Sequence, residues 1–281
     1  MTTTYEELLV NGLADALRLS GKTLKPVFSE LPKTDAVLFS IFDRLPDDQN
    51  LTDFSTVFGQ ILTAQQPGMM VDIAEQNYAK PQNWLTKDEH KIAKYTPDRT
   101  DITTALQNSP SISFQSDAQD MTTAQALSQP PLTSSGAGLL PKDVNWTNTK
   151  IQSFSVKLAH ASMMPIRQGG WFTPGVFASA YKNKDWVPNK DGVTWDSVFG
   201  PGGSATSLST NVLVGAGLDI ELTVSSRDKT NLSDDVAWPF SQRVDGGVAS
   251  ADLALTISLT TPADVPLLLA IEVQPTAVLF G

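Results

Sequence analysis

The sequence predicts an α+β protein: a helical N-terminal half followed by an antiparallel, β-sandwich-like C-terminal module. Apolar residues recur at helical spacing through much of the first hundred residues, and in the last third they alternate with period two. Between these regions the composition shifts to Ser, Thr, Gln and Pro. The expected organisation is a mainly helical region over 1–107, a polar linker or arm over 108–145, and an antiparallel β module with aromatic-rich loops over 146–281.

Thr4 followed by Glu7 forms a capping-box pattern, and Leu9, Leu13, Ala16 and Leu17 then fall on one helical face that ends at Gly21. A second helix is expected over Thr34 to Arg44, where Val37, Leu38, Ile41 and Phe42 cluster. A third follows a cap at Thr52 or Asp53: Phe54, Val57, Phe58, Ile61 and Leu62 have helical spacing, and Pro67-Gly68 stops the run. Weaker helical stretches run from Val71 to Ala79 and from Lys87 to Lys94. The Ser/Thr/Gln/Pro-rich segment admits a short helix at Ala118 to Leu127 and otherwise reads as a linker, or as an arm that wraps the β module.

The β module begins at Ile151, with Phe154, Val156 and Leu158 on one face and Ser153, Ser155 and Lys157 on the other. Thr173-Pro174 opens a short helix that carries Phe177 and Tyr181 on one side. Val212 to Val224 is a long strand, with Gly215 and Gly217 opposite its apolar stripe as a shelf for a close neighbour or as a bulge. Residues 225–250 read as a polar loop, and two further strands follow it. The tail Thr276 to Gly281 is apolar to its last residue. It is expected to pair within its own sheet or to add as a strand to a neighbouring subunit.

Composition narrows the function. The chain has 281 residues, 41% of them hydrophobic and 18% charged, which suits a self-supporting core. A net charge of −10 without a Lys/Arg stripe argues against nucleic acid and against anionic membrane surfaces. The absence of cysteine excludes disulfides, thiolate metal sites and cysteine nucleophiles. Met1 to Glu7 lacks the basic start and apolar core of a signal peptide, so any release is expected to use another route.

No nucleophile elbow, zincin, Walker A or dinucleotide motif occurs. His90 sits in a charged run, whereas His160 continues the apolar face of Phe154, Val156 and Leu158, where a structural role is the commoner one. Asp219 and Glu221 share a strand face and are close enough for an acid/base pair, although the alternation assigns them to the wet side. Asp185, Asp191 and Asp196 gather oxygen ligands around a glycine turn, as calcium prefers, but their spacing is not that of an EF-hand. No residue pattern requires a cofactor.

Tryptophans carry the strongest contact signal: Trp171, Trp186, Trp195 and Trp238 fall in expected loops, either as lids on the core or as presented rings. These features favour a non-enzymatic structural or interaction protein that self-associates through its β module and tail, with Val278, Leu279 and Phe280 as contact residues. A membrane-acting toxin and a carbohydrate-binding protein are the alternatives.

Overall fold

The structure is a computed structural model. It describes residues 10, 13, 14, 17, 19, 23–46, 52–64, 75, 78, 95–116, 121–122, 150–184, 186, 192–226, 241–247 and 253–281. Helices and antiparallel strands are mixed in it. In chain order the elements are β1 (Thr23–Glu30), α1 (Asp35–Asp43), α2 (Phe54–Ala64), β2 (Tyr95–Thr96), α3 (Arg99–Gln107), β3 (Ile112–Ser116) and β4 (Met121–Thr122). There follow β5 (Lys150–Pro165), β6 (Arg167–Gln168), α4 (Pro174–Lys182), α5 (Trp195–Phe199) and β7 (Ser207–Ser226). The chain closes with β8 (Ser241–Gly247), β9 (Leu253–Thr260), β10 (Pro266–Pro275) and α6 (Thr276–Phe280).

Hydrogen bonding joins eight strands into one sheet. Its main path is β1-β10-β7-β5-β3, with β4 also on β5 and β9 lying between β7 and β8. A two-stranded sheet, β2-β6, stands apart from that path. Strand β7 is the common template: Asp219 to Ser226 pair with Thr260 to Leu253 of β9, while β10 and β5 flank it as well. A stretch near its middle is buried on both faces, since consecutive residues Val212 to Ala216 are all enclosed.

By compactness the chain divides into two units. One comprises Met1–Leu31, Ile102–Met164 and Val212–Ile271; the other comprises Pro32–Asp101, Pro165–Asn211 and Glu272–Gly281. The first is built on aliphatic strand residues, including Val156, Leu158, Leu213, Leu218, Ile220, Leu259 and Leu269, with Ile102 and Leu106 of α3 also buried. The second is built on aromatic rings.

Local chemistry explains the helices. Thr34 caps α1 by accepting from the Val37 amide at 3.4 Å, and α1 buries Leu38, Phe39 and Phe42 while Val37 stays 52% exposed. The Asp53 carbonyl accepts from the amides of Thr56 and Val57 at 3.0 and 3.1 Å and starts α2. Pro174 opens α4, where its missing N–H costs nothing, and Thr194 and Ser197 form a reciprocal capping box on α5.

Five readings of the sequence need correction. The helical N-terminal region contains a strand, β1, whose buried apolar positions Leu24, Val27 and Phe28 do not alternate, and Phe28 adopts φ 40°. The polar segment over 108–145 contains strand β3, which pairs with β5 from Ile112↔Leu158 to Ser116↔Phe154. Its exposed Ser113 and Gln115 gave it the composition of a linker. The polar loop over 225–250 contains β8, which pairs with β9 through Ser241↔Thr260 to Gly247↔Ala254. The tail is neither an added strand nor a paired one, because Thr276–Phe280 turns into a short helix. The short helix expected at Ala118 to Leu127 is overturned at its described residues, because Met121 and Thr122 form β4 and pair with Ile151 and Lys150 of β5. The expected Thr4/Glu7 cap, the Gly21 and Pro67-Gly68 stops and the helix at Lys87 to Lys94 lie outside the described residues. Val10, Leu13 and Ala14 are helical and buried, and Glu75 and Tyr78 are helical.

Candidate functional site

The second unit holds a continuous aromatic cluster with Trp171 at its centre. Trp171 has no exposed surface, and its ring lies 5.7 to 6.0 Å from those of Phe54, Phe58, Tyr78, Tyr95 and Phe172. Most of these pairs are edge-on or tilted, the arrangement that aromatic quadrupoles favour. Helix α2 supplies Phe54 and Phe58 one turn apart, so the helical spacing read from the sequence creates one wall of the cluster. Trp171 therefore acts as an internal lid and presents no ring outward.

One carboxylate is enclosed beside the rings. Asp43, at the end of α1, accepts from the Ser55 amide at 2.8 Å, the Ser55 hydroxyl at 2.7 Å and the Tyr95 hydroxyl at 2.7 Å. The Ser55 amide belongs to the first turn of α2, where unsatisfied N–H groups attract an anion. Tyr78 donates to the Ser55 carbonyl at 2.7 Å. Burial, then the Asp43 charge and its hydrogen bond, hold the Tyr95 hydroxyl well above the ordinary tyrosine range; burial and Asp43 also raise Tyr78.

Trp186 and Trp195 are half-buried and serve the end of α4. The Trp186 indole donates to the Ala180 carbonyl at 3.1 Å, and the Trp195 indole donates to the Tyr181 carbonyl at 2.9 Å. These are carbonyls of the last helical turn, which lack partners further along the helix. Both rings meet Phe199, at 5.7 and 5.8 Å, and the Lys184 ammonium lies 4.5 Å from the Trp195 ring centroid. This gives a small surface of two partly exposed rings and a cation.

The C-terminal helix is fastened at its base. The Thr276 amide donates to the Thr206 carbonyl at 2.8 Å, the buried Thr276 hydroxyl donates to the Ala205 carbonyl, and the Phe280 ring packs 5.1 Å from Phe177. Leu279 and Phe280 are half-buried, and between these attachments Val278 is 72% exposed.

The remaining candidates are dispersed. Asp219 and Glu221 are exposed on β7, opposite Thr260 and Ser258 of β9. His160 Nδ1 lies 3.2 Å from the Ser109 carbonyl in a structural contact. Asp196 is exposed in the first turn of α5. Asp185, Asp191, Trp238 and His90 lie outside the described residues, and among the described residues no group of three potential metal ligands converges. No described helix is long and apolar enough to cross a membrane.

Two buried acids escaped the sequence reading. Asp43 has no motif around it. Glu272 stands on the phase of β10 expected to be wet, yet it is fully buried, with the carboxamides of Asn211 and Gln274 donating to it at 2.6 and 2.7 Å. The visible clue to Glu272 is the flanking run Leu267 to Val273, apolar at all its other positions, which is the pattern of a strand covered on both faces. Compared with known proteins, the chain matches no protein-family model, no curated protein and no solved structure.

Proposed function

We propose that the chain is a non-enzymatic structural or interaction protein that self-associates, with its sheet as the framework and its C-terminal helix as a contact. One observation carries this reading: Val278 is a largely exposed apolar side chain on a helix fixed by two hydrogen bonds at its first residue and a ring contact at its last. A rigidly presented apolar tip loses little conformational entropy when a partner covers it. The sandwich-like packing read from the alternation belongs to the same proposal, supported by Val212 to Ala216 being buried on both faces of β7.

Light scattering across the micromolar range tests it. The wild-type chain is expected to associate with rising concentration, and Val278→Glu to weaken that association. A chain that stays monomeric throughout would sink the reading. The partly exposed Trp186 and Trp195 favour a second reading, glycan binding, although Lys184 already occupies space over the Trp195 ring. A glycan array blank at high protein concentration removes it.

A further inference from the structure

We draw no further inference here: the strongest candidate, the polar sheet face on which exposed Glu221 of β7 and exposed Arg243 of β8 flank Ser258 of β9 in one register row, carries none because nothing in the structure shows what covers it.

Discussion

Asp43 closes the connection between α1 and α2 by accepting three hydrogen bonds from Ser55 and Tyr95 with one buried carboxylate. Removing it strands a helix-opening amide and two hydroxyls in a dry site. Asp43→Ala is expected to cost about 3 kcal/mol, read as a lower urea midpoint; a shift equivalent to under about 0.5 kcal/mol would mean that water or another side chain replaces the carboxylate. Tyr95 gives this site a pH dependence. Its hydroxyl is held protonated in the folded chain, whereas an unfolded tyrosine ionises near pH 10. The stabilisation is therefore fully present below about pH 10 and is lost as pH rises through the folded value. Tyr95→Phe lowers stability at neutral pH through the lost hydrogen bond, but its urea midpoint should fall less steeply than wild type above about pH 10. Parallel curves would show that another group governs the alkaline loss.

The long strand β7 depends on glycine for close neighbours. Gly217 has φ 62°, and a Cβ there would lie 2.7 Å from the Ala159 Cβ. Gly202 has φ 79° with nothing within 4 Å. Gly202→Ala isolates the backbone penalty, roughly 1 to 2 kcal/mol, whereas Gly217→Ala adds a clash and should exceed it by about 1 kcal/mol in thermal or urea unfolding. Equal losses would show that β5 yields to the added methyl. Elements with long, regular patterns were legible before the structure: α1, α2, α4, β5, β7, β9 and β10 follow from capping residues and from apolar periods of 3.6 or 2. Elements that failed were short or locally irregular. Strand β1 loses its alternation between Leu24 and Val27, β3 has too few residues for a period, and the tail curls into α6 because its apolar run fits either state. The sequence left each tryptophan open as a lid or a presented ring, because whether a ring faces inward is decided by residues distant in sequence, such as Phe54 and Tyr95 around Trp171.

For the whole molecule, the excess of acidic groups sets how association responds to salt. With a net charge of −10, copies repel at long range, and at about 0.1 M salt that repulsion is screened beyond about 10 Å. If apolar contacts hold the assembly, raising salt from about 0.05 to about 0.5 M should strengthen association in sedimentation. Weakening would assign the dominant role to ion pairs. The position of β7 in the sheet also sets an order of events during synthesis. Its partner β5 precedes it in the chain, but β9 and β10 follow it, the last of them ending at Pro275. While a ribosome is still making residues 227–275, the longest strand among the described residues has one flank without its native partner. That interval is when a nascent chain is most exposed to mispairing with its neighbours and when a chaperone would be of most use to it.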